Sequence, residues 1–288
     1  FMQGVFFVAA CASVLAVALI CIFLFANGIP AMKEIGFIKF LTGEIWRPGS
    51  DQFGILSMIV GSLYVTAGAI IFGVPIGILT SVFMAMYCPK QIYKPLKAAT
   101  ELLAGIPSVI YGFFGLVVVV PLIRNLGTAL YKANIVDNPG NGNSILTASL
   151  ILGMMILPTI IGTTESAMRA VPSHYYEGSL ALGATKERSI FRVIIPAAKS
   201  GVITGIVLGI GRAIGETMAV IMIVGNQARL TNSIFQGIRT LTGNIVIEMG
   251  YATGLHREAL IATGVVLFVF ILIINLCVAM LKRGTDHE

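Results

Sequence analysis

The sequence predicts an all-α integral membrane protein with six transmembrane helices. Hydrophobic residues make up 57% of the 288 residues and charged residues only 11%, which is more apolar surface than one water-soluble core can bury. Six stretches each supply the roughly 20 apolar residues that a helix needs to cross a bilayer. Because these stretches do not alternate between apolar and polar residues, they predict helices rather than the strands of a membrane β-barrel.

The six predicted spans are distributed along the whole chain. They cover residues 5–28, 54–87, 98–123, 144–168, 200–226 and 258–281. With a cytoplasmic N-terminus, the inner loops carry ten Lys and Arg residues and the longer outer loops carry eight, the bias that the positive-inside rule predicts. Both termini are therefore predicted to be cytoplasmic. The net charge of +6 belongs to these loops and does not indicate nucleic-acid binding.

The N-terminal part is predicted to hold one span and an interfacial segment. Phe1 precedes the span without an initiator Met, so we expect the native N-terminus to lie upstream; a span of about 24 residues disfavours a cleaved signal peptide. Residues 29–53 mix charged and aromatic side chains, which predicts a helix along the membrane surface with Trp46 at headgroup depth, rather than a plain connector. We accordingly divide the chain into residues 1–53 and a five-helix core, 54–288.

A break is predicted inside the third span. Gly105 and Pro107 free backbone groups that lipid cannot satisfy, so this break is expected where protein or a water-lined cavity surrounds it. Ser108 and Tyr111 place hydroxyl groups beside the loosened turn, which makes them candidates for a substrate pathway. A proline kink that only shapes the helix bundle is the alternative.

Two charged residues, Arg212 and Glu216, lie near the middle of the fifth span. Each is expected to cost about 2.5 to 3.5 kcal/mol at a helix centre. Their i, i+4 spacing predicts one shared helix face and partial neutralisation. Because a buried ion pair is a poor way to stabilise packing, the pair indicates a translocation pathway rather than a helix contact. A guanidinium suits an oxyanion, and the Thr217 hydroxyl is adjacent.

The predicted inner segment 172–199 mixes apolar and charged residues as an amphipathic helix does, so it offers a surface to a soluble partner. Just before it, Glu165 and Arg169 have the spacing of an ordinary pair at a helix end. Within the segment, Gly183 is expected to form a turn between two short helices, and Pro196 to end the second. Such a segment is predicted to be rigid enough to transmit force.

This segment also carries a family resemblance. The positions concerned are Glu177, Gly178, Ser179, Leu182, Gly183, Ala184, Pro196 and Gly201. They resemble the EAA loop of bacterial ABC importer permeases, with Gly178 and Ser179 replacing two alanines. In that family the loop docks onto the ATPase subunit, which implies a coupling role here for Glu177, Ser179, Leu182, Gly183 and Ala184. A helix lying on the membrane surface is the alternative interpretation.

The sequence does not predict an enzyme. The phosphate-binding pattern G-x-x-x-x-G-K-[ST] does not occur, so ATP hydrolysis is expected of a partner. The three histidines, at 174, 256 and 287, form neither a nucleophile–base pair nor a metal cluster by their spacing. We therefore expect no catalytic residue, metal or cofactor in this chain.

Over residues 40–282 the chain resembles, more narrowly, the phosphate-specific ABC permeases of the PstC type. The resemblance rests on ELLAGIPSVIYGFFGL, EGSLALGAT, GRAIGETMAV, and the residues from Trp46 to Gly54. It implies a MetI-like fold in the bacterial inner membrane, with Arg212 and Glu216 as the family's intramembrane charged pair. The implied partners are a PstA-type permease, a PstB-type ATPase dimer using ATP and Mg, a periplasmic PstS-type phosphate-binding protein, and inorganic phosphate. A molybdate, tungstate or sulfate permease is the nearest alternative, and a secondary transporter a more distant one.

Overall fold

The computed structural model describes residues 2–285, with side chains over residues 2–276. Helices make up most of this range, and one short antiparallel hairpin accompanies them. The predicted sixth span, 258–281, is helical throughout, but the side chains of its last residues and the tail 286–288 lie outside the described residues.

Helices follow one another with short connections. The first elements are α1 (Met2–Ile35), α2 (Phe37–Thr42), β1 (Trp46–Arg47), β2 (Gln52–Phe53) and α3 (Leu56–Val82). The next are α4 (Lys90–Gly105), α5 (Ser108–Phe114), α6 (Val120–Lys132) and α7 (Ile145–Ala170). The last are α8 (Ser173–Ala181), α9 (Lys186–Ser189), α10 (Ile195–Ala197), α11 (Lys199–Gly215), α12 (Met218–Ile223), α13 (Leu241–Glu248) and α14 (Gly254–Thr285). π-Helical turns follow α3 at Phe83–Tyr87, α5 at Gly115–Val119 and α9 at Ile190–Ile194.

The helix lengths confirm the predicted membrane architecture. Five helical runs are long and apolar enough to cross a bilayer: α1, α3 with its π-turn, α5 through α6, α7 and the described part of α14. A sixth crossing results when α11 is joined to the helical run that precedes it, from which it bends by 71°. The chain is thus an all-α, multi-pass membrane protein.

The bundle is organised around α7, the most buried span. It packs along α3 and α11, while α1 packs against α14 at the side. Close approach of α3 to α7 requires small residues, since a side chain at Gly73 or Gly77 would overlap Ile156 or Ile160 of α7. The predicted role of glycines in close helix packing is confirmed at these two positions.

Two predicted spans have different boundaries in the structure. Residues 98–105 belong to the amphipathic helix α4, and the third span begins only at Ser108. The break lies where it was predicted, because Ile106 and Pro107 both have extended backbone conformations. In contrast, the continuous helix predicted over 200–226 is wrong, since α11 ends at Gly215 and a separate helix begins at Met218.

The segment between α1 and α3 contains less helix than its composition suggested. Only α2, with six residues, is helical, and a hairpin follows it. The Trp46 side chain is 7% exposed and packs edge-on against Phe53 and His256. Trp46 is therefore part of a protein core, and the prediction that it lies among lipid headgroups is wrong.

Candidate functional site

The fifth span is broken at Glu216, and the carboxylate of this residue stabilises the break. Glu216 is extended (φ −69°, ψ 132°), which ends α11. Its Oε1 accepts hydrogen bonds from the backbone N–H groups of Thr217 (3.0 Å) and Ala219 (3.2 Å). These donors have no partner within the helix at the start of α12, so the carboxylate replaces the missing helical acceptors.

The predicted ion pair between Arg212 and Glu216 is not formed. Over residues 2–276, no carboxylate oxygen lies within 4.0 Å of the Arg212 guanidinium. The i, i+4 rule assumes a continuous helix, and the extended residue at 216 turns the carboxylate toward α12 instead. Arg212 therefore remains in α11, half-buried, with a guanidinium whose donors are not committed to a carboxylate.

The break in the third span lies close to the break in the fifth. α5 packs on α12, where a side chain at Gly112 would meet Ala219 and Met222. Tyr111 is 5% exposed and lies within electrostatic range of the Arg212 guanidinium. The structure therefore brings Tyr111 and Arg212 together.

Three predicted pathway hydroxyls differ in what they are free to do. The Tyr111 hydroxyl donates to the Leu103 carbonyl at 2.8 Å, which ties α5 back to α4 across the break. The Thr217 hydroxyl donates to the Gly215 carbonyl at 3.2 Å. Ser108 is the half-buried first residue of α5. Two of the three protons are thus used in holding the breaks in shape.

Sequence reasoning missed a small polar cavity beside Glu216. Four hydroxyl residues from two distant parts of the chain line it: Ser62, Thr66, Thr240 and Thr242. The Thr242 hydroxyl donates to the Glu216 carbonyl oxygen at 3.2 Å, and the Ser62 hydroxyl accepts from the Leu241 N–H at 3.0 Å. The cavity has room for about one water molecule. These residues have no common spacing, so nothing in the sequence marked them.

The predicted coupling segment, 172–199, forms a compact helix–turn–helix. α8 ends in a Schellman-type turn, in which the Gly183 N–H donates to the Leu180 carbonyl (2.9 Å) and the Ala184 N–H to the Ser179 carbonyl (3.2 Å). Gly183 has φ +85°, a conformation that disfavours any residue with a Cβ, while no atom lies within 4 Å of where that Cβ would be. The expected glycine turn is confirmed, and its reason is backbone conformation rather than a close contact.

The coupling segment presents some of its predicted residues to solvent and fixes others. Leu182 is 91% exposed, and Glu177 is also exposed. The hydroxyls of Ser179 and Ser189 lie 2.9 Å apart and join α8 to the next helix. An exposed leucine at the tip of a rigid turn is the arrangement expected of a docking surface.

The other side of the segment is anchored in the bundle. Ile190 and Ile194, 0% and 3% exposed, pack in a cluster with Val82 and Met168 at one end of α3 and α7. The Lys186 Nζ lies 4.3 Å from the centroid of the Tyr87 ring, in a cation–π contact. The segment therefore moves with the ends of these two spans.

A group that we name the Glu165 cluster lies at the same end. The carboxylate of Glu165, whose side chain is 1% exposed, accepts hydrogen bonds from Tyr93 Oη (2.5 Å), Arg169 Nε (2.6 Å) and Lys97 Nζ (3.4 Å). Arg169 also donates to the Met84 carbonyl at 2.8 Å. The predicted Glu165–Arg169 pair is confirmed, whereas its two partners in α4 were not predicted.

The position of Lys97 in this cluster affects its protonation. Its interaction with Tyr93, and then the negative charge of Glu165, raise the pKa of Lys97 above its ordinary value, although partial desolvation opposes them. Lys97 thus carries a positive charge at neutral pH, as the contact with Glu165 requires.

A second group, the Glu248 cluster, lies at the opposite end of α3. The Glu248 carboxylate accepts from Trp46 Nε1 (2.7 Å) and Arg239 Nη1 (2.6 Å), and its Oε2 lies 2.8 Å from His256 Nε2. These residues come from the hairpin, from α13 and the loop before it, and from α14. The sequence gave His256 only a general interfacial role and left Arg239 without a partner.

The fold and these features together define a class, a multi-pass membrane permease with an anchored coupling segment between its fourth and fifth spans. Residues 73–287 match the family of binding-protein-dependent transport system inner membrane components, and the chain belongs to that family.

Relatives with curated names include phosphate permeases. The chain is 38% identical over 275 residues to the phosphate transport system permease protein PstC of Mesorhizobium japonicum, covering 92% of this chain and 84% of the relative. It is 35% identical over 244 residues to the PstC protein of Haemophilus influenzae, covering 80% and 76% respectively.

Solved structures with the same fold include other ABC importers. The chain matches the MetNI methionine ABC transporter in inward-facing conformations with a TM-score of 0.61 at 19% identity, covering 84% of this chain and 99% of that one. A bacterial alginate ABC transporter matches with a TM-score of 0.64 at 16% identity, covering 96% of both chains. The MetI-like permease fold expected from the sequence is confirmed.

Proposed function

We propose that this chain is a permease subunit of an ATP-driven phosphate importer in the bacterial inner membrane. The observation that carries the proposal is Arg212, a half-buried guanidinium between two broken helices with no carboxylate within 4.0 Å. A permanently charged group that is not neutralised attracts an anion from the membrane interior. The identity to named phosphate permeases supports phosphate as that anion.

The pathway residues have distinct roles in this proposal. Arg212 supplies the positive charge and fork-shaped donors that match a phosphate oxygen pair. Glu216 holds the broken helix open through its bonds to Thr217 and Ala219, and its negative charge nearby keeps anion binding weak. Weak binding is required, because a transported ion must leave the site as readily as it enters. Ser108 and Tyr111 line the second break.

Energy enters through the coupling segment in this proposal. Leu182 and Glu177 project from it, and Gly183 fixes the angle between its helices, with Ser179 and Ala184 completing the turn. These residues dock onto a PstB-type ATPase dimer, which binds and hydrolyses ATP with Mg. The permease itself binds no cofactor.

The remaining partners follow from the same assignment. A second, PstA-type permease completes the pathway, and a PstS-type binding protein delivers phosphate from the periplasm. The excess of Lys and Arg in the loops on the coupling-segment side supports a cytoplasmic location for that side and for both termini.

The proposal is tested by ATP-dependent uptake of labelled phosphate into liposomes that hold the complete transporter. Uptake that persists with equal concentrations of sulfate, tungstate and molybdate supports it. Competition by one of these oxyanions would reassign the substrate within the same class of importer.

The role of Arg212 is tested by Arg212→Gln in the same liposomes. Loss of the charge is expected to lower uptake at least tenfold, about 1.4 kcal/mol, with normal assembly. Arg229→Gln, which changes a charge in a loop outside the spans, is the matched control and is expected to retain uptake. Wild-type uptake by Arg212→Gln would contradict the pathway role.

A further inference from the structure

Glu165 lies where three structural elements meet. Its carboxylate belongs to α7, accepts from Tyr93 and Lys97 of α4, and shares Arg169 with the Met84 carbonyl in the turn after α3. The Arg169 guanidinium also lies 4.3 Å from the centroid of the Tyr93 ring. One buried carboxylate therefore sets the position of α4 relative to the ends of two spans.

One side of this cluster adjoins the coupling segment. Only Val171 and Pro172 separate α7 from α8, so the segment continues directly from the helix that carries Glu165. The segment also holds the turn after α3, through the contact of Lys186 with Tyr87. A displacement of the segment consequently acts on both spans that contribute to the cluster.

The other side of the cluster leads to the broken helices. α4 runs from Tyr93 to the break, where the Leu103 carbonyl accepts the hydrogen bond from Tyr111 in α5. α5 packs on α12 at Gly112 and Ala219, and the Ala219 N–H donates to Glu216. An unbroken series of contacts thus connects the coupling segment to the pathway by way of α4.

We propose that Glu165 is a positioning residue that transmits movement of the coupling segment to the pathway, by holding α4 through Tyr93. This role rests on the proposed function, since it presupposes an ATPase that moves the segment. The side chains of Lys97 and Arg169 are 39% and 44% exposed, so water replaces Glu165 as their partner when the contacts open. A hydrogen-bonded contact of this kind changes between two discrete arrangements, as a relay requires.

The test is the number of ATP molecules hydrolysed per phosphate imported by the complete transporter in liposomes. Tyr93→Phe removes only the hydroxyl, and Glu165→Gln removes the charge. Each is expected to raise the ratio about fivefold or more, while assembly and the rate of ATP hydrolysis are retained. The double variant is expected to match Glu165→Gln alone, because both changes interrupt the same contact.

Matched controls are Tyr131→Phe and Glu44→Gln, which change an exposed tyrosine and an exposed glutamate outside the relay. Both are expected to keep the wild-type ratio. An unchanged ratio in Tyr93→Phe, or effects that multiply in the double variant, would overturn the relay. If the wild-type transporter imports another oxyanion instead of phosphate, the proposed substrate is wrong, and the same ratio measured with that anion still tests Glu165.

Discussion

The Glu165 and Glu248 clusters lie at the two ends of α3 and have similar composition but different exposure. Each joins a buried carboxylate to one arginine, one aromatic donor and one further basic residue. In the Glu248 cluster the basic side chains are 17% and 14% exposed, whereas in the Glu165 cluster they are 44% and 39% exposed. The difference teaches that the same chemistry supports a fixed core at one end and a contact open to water at the other.

The position of each cluster fits this difference. The Glu248 cluster fastens the hairpin and α14 onto α13, all on the side away from the coupling segment. The Glu165 cluster holds an amphipathic helix that leads to a break. Removing a partner from the enclosed cluster leaves a desolvated charge, while removing one from the open cluster lets water take its place.

The largest effect is expected from Glu248→Gln. It leaves Arg239 enclosed without its carboxylate, so the free energy of unfolding should fall by about 3 to 5 kcal/mol. Denaturant unfolding of the detergent-solubilised chain, followed by tryptophan fluorescence, measures this loss because Trp46 is the only Trp in the chain. Glu44→Gln, which alters an exposed carboxylate, is the control. A loss below about 1 kcal/mol would show that the cluster is not a fixed core.

A smaller effect is expected from Trp46→Phe. The aromatic packing against Phe53 is largely kept, but the hydrogen bond to the Glu248 carboxylate is removed, at a cost of about 2 kcal/mol. Since the variant lacks the fluorescent reporter, unfolding is followed by far-ultraviolet circular dichroism, with wild type measured in the same way. Stability equal to wild type would mean that the indole donor contributes nothing to the enclosed cluster.

The smallest effect is expected from Arg169→Gln in the open cluster. Tyr93 and Lys97 continue to bind Glu165 and water reaches the vacated side, so the loss should be about 1 kcal/mol. The comparison with Glu248→Gln under identical conditions is the decisive measurement. Equal losses in both variants would remove the distinction between the two clusters.

The candidate pathway shows how far spacing rules reach. Arg212 and Glu216 were found because charges are rare in apolar spans, and this criterion is independent of structure. Their predicted pairing was wrong because the i, i+4 rule holds only within a helix, and Gly215 is followed by an extended residue. Hydrogen bonding of Glu216 to α12 depends on the break itself, which no local pattern had signalled.

The contacts that define the two clusters were beyond sequence reasoning for a different reason. Trp46 and Glu248 are separated by 202 residues, and Tyr93 and Glu165 by 72. The composition around Trp46 suggested a membrane surface, since an aromatic residue among charges fits an interface equally well. Only the packing of the hairpin on α14 distinguishes these two environments.

By itself the sequence determined the all-α membrane fold, the break at Pro107, the glycine turn at Gly183 and the family. These features depend on local properties, namely the length of apolar runs, the backbone preferences of proline and glycine, and a contiguous motif. The tertiary structure alone decided the end of α11, the free guanidinium of Arg212 and the partners of both buried carboxylates. A buried charge is satisfied by whichever donors the packed chain brings within about 3 Å, and that distance is set by the fold rather than by position in the sequence.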